Sequence, residues 1–253
     1  MRATASAGGR TASTPSGGSW TFCGGTCQVS GLKGALLDAG GTLFRVKYTR
    51  ADRLGRFLRE AGFDPDPEAL ERVTLEADLE FNWPEPNVRT RAEEQRLWRA
   101  YCRRVLSALK LPTSPGLVRR LAEAADYLNF LELFPDTVPA LEAWRRRGLR
   151  LGILSNAAPS FREAIDRLGL TAYFDVIIIS AEVGLAKPDP AIFDLGLGRL
   201  GLQPEEAFFV DDLPRHVRAA REVGLRGFLI VRPPAADLPE DLPVVRSLAD
   251  LAL

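Results

Sequence analysis

From residue 134 to residue 231 the chain repeats one unit, a short apolar run followed by a polar turn and an amphipathic segment. The apolar runs fall at 149–154, 176–179, 207–210 and 227–231, and helical spacing occupies 137–147, 160–168, 191–200 and 217–223. Strands that alternate with helices of roughly ten residues predict a parallel sheet covered on both faces. Parallel crossovers are right-handed, so the strand ends gather on one edge, where open α/β folds place their ligands. A further apolar run, residues 34–37, precedes this block and stops at Asp38, with Gly40 and Gly41 forming the turn behind it.

Between Leu43 and Phe134 the pattern changes to helices with little strand signal. Leu54, Phe57, Leu58 and Ala61 recur at helical spacing in 50–61, which Gly62 closes. Residues 67–81 form a second helix, and Trp83-Pro84-Glu85-Pro86 breaks the pattern. Leu97, Tyr101, Val105 and Leu109 share one face of 92–109. In 114–128, Ser114 stands at the N-cap and Pro115 at the first helical position. Four helices exceed a simple crossover, so residues 47–132 read as an inserted helical domain between core segments 31–46 and 133–253. Trp98 and Tyr101 are read as core of that insert. The Trp83 loop either reaches the site or packs between insert helices.

Composition narrows the class. The chain has 253 residues, 46% hydrophobic and 26% charged, with zero formal net charge, which suits a globular core plus a smaller insert. Balanced charge gives no reason to expect a nucleic-acid partner or an acidic membrane surface. No apolar run approaches the roughly 18 residues of a membrane span. Cys23, Cys27 and Cys102 are too few for a disulfide framework, and Cys23 and Cys27 lack the companions of a metal site. The expected compartment is cytoplasmic. Residues 1–30, rich in Gly, Ser, Thr and Ala with Arg but no acid, are expected to be disordered. They read as a tail or as sequence upstream of the true start, ahead of an organellar transit peptide.

Four polar clusters stand at predicted strand ends. They are Asp38-Ala39-Gly40-Gly41-Thr42, Ser155-Asn156, Lys187-Pro188-Asp189-Pro190, and Asp211-Asp212. A hydroxyl and an amide after a strand can donate to phosphate oxygens. Lys187, one of only four lysines, offers a compact point charge. Adjacent carboxylates repel unless a cation sits between them. In this order, over residues 33–232, the clusters resemble the four motifs of the haloacid dehalogenase (HAD) superfamily, whose first motif reads Asp-x-Asp-Gly-Thr.

The resemblance implies an α/β fold, a Rossmann-like parallel sheet with helices on both faces plus an all-helical cap. It also implies Mg²⁺-dependent hydrolysis of a small phosphorylated metabolite through an aspartyl-phosphate. Asp38 would be the nucleophile and Lys187 its charge partner. Thr42, Ser155, Asn156 and Lys187 would bind substrate. Mg²⁺ would sit on Asp38, the Gly40 carbonyl and Asp211, with Asp212 beside it. Oligomeric state is left open.

Two positions depart from the pattern. Gly40 replaces the Asp that protonates the leaving oxygen in family phosphatases, help typically worth about 10²–10⁴ in rate. This predicts slow turnover of ordinary phosphomonoesters or a preference for good leaving groups. His216, the single histidine, stands where many relatives carry an acid, and is read as a surface residue ahead of a catalytic one. Two alternatives stay open, a metal-independent 2-haloacid dehalogenase and a non-catalytic binder of a phosphorylated ligand or protein partner.

Overall fold

The computed structural model describes residues 27–28, 31–81, 88–232 and 239–252. The strands are β1 (Cys27–Gln28), β2 (Gly34–Leu37), β3 (Phe44–Val46), β4 (Leu131–Leu133), β5 (Arg150–Ser155), β6 (Val176–Ile179), β7 (Ala207–Asp211), β8 (Arg226–Ile230), β9 (Val244–Val245) and β10 (Leu251–Ala252). The helices are α1 (Arg50–Glu60), α2 (Pro67–Phe81), α3 (Arg91–Ala108), α4 (Pro115–Ala124), α5 (Thr137–Arg146), α6 (Phe161–Arg167), α7 (Ser180–Val183), α8 (Pro190–Leu200) and α9 (Pro214–Val223).

Six strands form a parallel sheet in the order β6-β5-β2-β7-β8-β9. The chain therefore builds outward from β2 in one direction and then restarts beside it with β7. This reversal opens a crevice at the carboxyl ends of β2 and β7, the usual ligand position in a doubly wound sheet. Leu37 is in register with Ile153 on one side and Val210 on the other. The ladder runs one step further, because the Asp38 N–H donates to the Val210 carbonyl at 2.8 Å.

Side-chain alternation along β2 divides the core. Ala35 and Leu37 pack with Leu151, Ile153, Phe208 and Val210 toward Trp144 and Ile165. Leu36 faces the opposite layer with Leu154, Phe209, Ile192 and Phe193. Each fully buried Leu or Phe contributes about 1.5–3 kcal/mol relative to exposure, so this pattern fixes the strand register.

The insert is a four-helix unit, α1–α4, with its own apolar cluster that includes Leu54, Leu58, Leu70, Tyr101, Val105, Leu117 and Leu121. Trp98 stacks on Tyr101 with centroids 5.0 Å apart, as expected of insert core residues. Thr49 with Asp52, and Thr90 with Glu93, close capping boxes at the starts of α1 and α3. The stem is an antiparallel ribbon not foreseen from sequence, in which Phe44 pairs with Leu133 and Val46 with Leu131. Strands of three residues carry too little alternation to be seen. The fourth helix stops at Ala124 rather than 128, because the Asp126 carboxylate accepts from the Leu128 N–H and starts a tighter turn.

Cys27 and Gln28 pair in parallel with Leu251 and Ala252. This corrects the expectation of disorder through residue 30 at that point. The rest of the segment, Cys23 included, and the Trp83 loop lie outside the described residues. Among the described residues no helix is long and apolar enough to cross a membrane.

Candidate active site

All four polar clusters emerge on the same sheet edge, at the ends of β2, β5 and β7 and on the loop after α7. Asp38 is carried there because β2 ends at Leu37, and it remains nearly covered at 7% exposure. Lys187, fully enclosed in its side chain, donates to Asp38 Oδ1 at 2.7 Å and to Asp211 Oδ2 at 2.6 Å. One ammonium thus ties the end of β2 to the end of β7. The Phe209 ring lies 5.5 Å from the same Nζ.

Asn156 holds Lys187 in place. Its Nδ2 donates to the Lys187 carbonyl at 2.7 Å, and its Oδ1 accepts from the Lys187 N–H at 2.8 Å. The expected substrate-binding amide is thus engaged with the loop that carries the lysine. Ser155, beside it at the end of β5, is buried. Thr42 is also buried, and its Oγ1 has no hydrogen-bond partner among the described residues.

The adjacent acids Asp211 and Asp212 differ. Asp211 is wholly buried, and its oxygens accept from Lys187, from the Leu213 N–H at 2.8 Å, and from His216 Nδ1 at 3.0–3.1 Å. Asp212 lies against Gly41, whose φ of +88° only glycine adopts readily and whose added Cβ would strike the Asp212 carboxylate. Gly40 is exposed, lacks a positive φ, and a Cβ there would meet only the Phe161 ring at 3.7 Å. Position 40 therefore has room for a side chain, and position 41 has none.

Burial pushes the Asp38 carboxyl up, and neighbouring Asp211 adds to this against the opposing pull of Lys187. Burial also disfavours charged Lys187, but Asp38 and Asp211 outweigh it and hold the ammonium above its ordinary value. For Asp211, Lys187 and His216 overcome the cost of burial and keep the acid ionised. For Asp212, burial together with Asp38 and Asp211 outweighs the pull of Lys187 and raises its carboxyl to about 7. Three carboxylates thus face one ammonium, an imbalance that fits a divalent cation. The Asp38 Oδ2 atom is buried without a hydrogen-bond partner among the described residues, so one oxygen of this acid stays free. No cage of three or more Asp, Glu, His or Cys exists among the described residues. That does not conflict with Mg²⁺, which commonly takes one or two carboxylates and keeps its waters.

His216 is buried at 3% exposure, contrary to the surface position expected for it. The Arg215 Nε–H donates to His216 Nε2 at 3.3 Å, so the proton on Nδ1 points to Asp211. A helical run of charged residues concealed this, because its buried face is set by α9 packing on β7 and β8.

Sequence reasoning missed two supports. Arg232, just beyond β8, donates to the Thr42 carbonyl at 2.6 Å and pairs with Asp136 at 2.7 Å. Its position after an apolar strand was the available signal. Glu94, buried on α3, accepts from the Ser160 N–H at 2.8 Å and from its hydroxyl at 2.5 Å, and nothing in the local sequence marks it.

The comparisons agree with this geometry. Residues 32–224 match the haloacid dehalogenase-like hydrolase family. The phosphoserine phosphatase of Thermus thermophilus is 36% identical over 213 residues, covering 81% of this chain and 82% of the relative. The glyceraldehyde 3-phosphate phosphatase of Methanopyrus kandleri is 39% identical over 203 residues, covering 77% and 82%. In fold, the HAD phosphatase of Thermococcus onnurineus superposes with a TM-score of 0.59 at 24% identity, over 86% of this chain and 94% of that one. All three align with this chain over most of their lengths. This chain belongs to the haloacid dehalogenase-like hydrolases.

Proposed function

We propose that this protein is a Mg²⁺-dependent phosphatase of small phosphorylated metabolites, with Asp38 as nucleophile. The observation that carries the reading is Asp38 at the sheet's reversal, Oδ1 held by Lys187 and Oδ2 unpartnered. A carboxylate fixed at one oxygen and open at the other is positioned to attack phosphorus. The new bond joins Asp38 to phosphorus, the ester P–O bond breaks, and the alcohol oxygen leaves with its electron pair. Water then attacks the aspartyl-phosphate at phosphorus, releasing inorganic phosphate and free Asp38. Lys187 offsets the charge that accumulates on the transferring group.

Asp38, Asp212 and the Gly40 carbonyl would hold the Mg²⁺, which when bound neutralises phosphate charge. Asp211, its oxygens already accepting from Lys187, Leu213 and His216, supports the lysine instead. Thr42 and Ser155 remain as donors toward substrate. Asn156 acts through Lys187. The α1–α4 unit, joined by its two-stranded stem and touching the core through Glu94 and Ser160, serves as a cap. With Gly40 in the acid/base position, no side chain there protonates the leaving oxygen. Phosphorylated substrates with good leaving groups are favoured, acyl phosphates among them.

Hydrolysis of para-nitrophenyl phosphate by wild type, Asp38→Asn and Gly40→Asp tests this reading. Wild-type turnover should require Mg²⁺, stop with EDTA and vanish in Asp38→Asn. Gly40→Asp, which the open backbone position admits, should raise turnover of alkyl phosphates by about 10²–10⁴. Halide release from a 2-haloacid without metal, with no phosphate release by any variant, would replace the phosphatase with a dehalogenase. Saturable phosphate binding with no turnover by any variant would instead leave a binding protein.

A further inference from the structure

The turn behind the nucleophile is held at two successive carbonyls, each by different means. The Leu43 carbonyl accepts from the Phe134 N–H at 3.0 Å and from the Thr137 hydroxyl at 2.6 Å, both from the segment that opens α5. The Thr42 carbonyl accepts instead from a charged side chain 190 residues away, Arg232 Nη2 at 2.6 Å. Arg232 stands just beyond β8, on the sheet edge that carries Asp38.

The Arg232 guanidinium is fixed on three sides. Nη1 pairs with Asp136 Oδ2 at 2.7 Å, Nη2 meets Thr42, and the Phe134 ring centroid lies 4.1 Å from Cζ. Asp136 is fixed in turn, because the same Oδ2 accepts from the Ser247 hydroxyl and from the Leu248 N–H, each at 2.7 Å. The side chains of Arg232 and Asp136 are each 14% exposed. A continuous path therefore runs from the C-terminal segment through Asp136 and Arg232 to the backbone of the nucleophile turn. Such a buried pair adds little stability over apolar side chains of similar volume, whereas a planar fork clamped on three sides fixes direction.

We propose that Arg232 is a positioning residue of the active site, oriented by Asp136 and acting on substrate through Thr42. The carbonyl it holds lies in one plane with the Thr42 Cα, so fixing that carbonyl fixes the base of the Thr42 side chain. The Thr42 hydroxyl is buried, and its Oγ1 has no partner among the described residues, which leaves it for a phosphate oxygen. A lysine at 232 keeps the charge opposite Asp136 but lacks the planar fork that holds Asp136 and the Thr42 carbonyl together. The role of the hydroxyl rests on the phosphatase reading, and the clamp on the turn rests on the hydrogen bonds alone.

Amide hydrogen exchange of the full-length protein, without substrate or metal, tests the clamp. The Gly41 and Leu43 amides bond within the turn to the Phe44 and Ala39 carbonyls. They should exchange roughly tenfold faster or more in Arg232→Met, and by a smaller factor in Arg232→Lys, while amides of β5 and α3 keep wild-type rates. Wild-type exchange at Gly41 and Leu43 in a folded Arg232→Met protein would overturn the proposal. If Arg232→Met loosens the whole fold, Arg232→Lys decides. Acceleration confined to the turn then supports the clamp, and wild-type or uniformly raised rates overturn it. Mg²⁺-dependent hydrolysis of para-nitrophenyl phosphate tests the route through Thr42. Thr42→Val and Arg232→Lys should each lower kcat/KM, and the double variant should lose no more than the larger single loss. No loss in Arg232→Lys, or losses that multiply, would overturn action through Thr42. A wild type without turnover counts against the phosphatase reading, and the exchange result still decides the clamp.

Discussion

The α/β core and the helical unit each bury a cation, and they surround it in opposite ways. Lys187 in the core touches Asp38 and Asp211 at 2.7 and 2.6 Å, and burial fails to lower its pKa because two carboxylates outweigh it. Arg53 in the helical unit has one carbonyl at 2.7 Å and, among the described residues, no carboxylate within ion-pair distance; burial and Arg50 outweigh the more distant Asp126 and lower its pKa to about 10. The core closes its charge network internally, leaving a surplus of carboxylate that suits an incoming metal. In the helical unit Asp78, Glu94 and Asp126 match the charges of Arg50, Arg53 and Arg91, so Arg53 is offset at longer range. Direct contact with carboxylates, rather than burial alone, thus decides which way a buried cation's pKa moves.

The largest effect should come from Lys187→Met. It strands Asp38 and Asp211 in a buried site, and stability should fall by about 3–5 kcal/mol. Turnover should fall at least ~10²–10³-fold, the usual effect of removing one preorganised stabilising group. Urea unfolding and initial-rate assays check both, and a wild-type unfolding midpoint would break the comparison. Next is Asn156→Ala, which removes two hydrogen bonds from the backbone of Lys187 and should cost about 1–3 kcal/mol. Turnover should drop with little change in KM, since Asn156 acts through the lysine.

Arg53→Met should be milder, within about 1 kcal/mol of wild type, because no carboxylate among the described residues lies within ion-pair distance of it and one carbonyl bond is lost. A loss as large as that of Lys187→Met would show that Arg53 depends on its longer-range partners as much as Lys187 does on its direct ones. The smallest effect concerns a third cation, Arg232, which Asp136 holds at 2.7 Å. Burial would raise Asp136, but hydrogen bonds from Arg232, Ser247 and the Leu248 N–H keep its carboxyl below the usual range. A depressed folded-state pKa stabilises fully above about pH 4 and is lost as pH falls through the lower folded value. Urea midpoints measured from pH 7 to pH 3 should therefore decline less in Asp136→Asn than in wild type.

Much of the core was legible because apolar runs and helical spacing are local signals. The strands at 176–179 and 207–211 and the helix at 190–200 stand at or within one residue of their expected positions. Strand-end polar residues were legible for the same reason, since a parallel sheet sends every strand end to one edge. The β3–β4 stem was hidden because it joins segments about ninety residues apart, Arg45 meeting Glu132, and each strand is only three residues long. The small polar cavity lined by Arg53, Arg91, Trp98 and Asp126 was hidden too, because its walls come from α1, α3 and the turn after α4.

Residues 211 and 212 show most clearly where sequence stops. The sequence alone determined that two carboxylates stand together at a strand end, and that Asp38, Ser155, Asn156 and Lys187 accompany them. It also determined that Gly40 carries no acid. It could not say which carboxylate meets the lysine, because successive side chains on a strand point to opposite faces. Only the placement of β7 between β2 and β8, with α9 folding His216 against it, turned Asp211 to Lys187 and left Asp212 beside Gly41. Lys187 and Asp38 are 149 residues apart in the chain, and their contact is made by the sheet's reversal rather than by any local pattern. Local propensity set the elements and their order, and packing of distant faces set which charges touch.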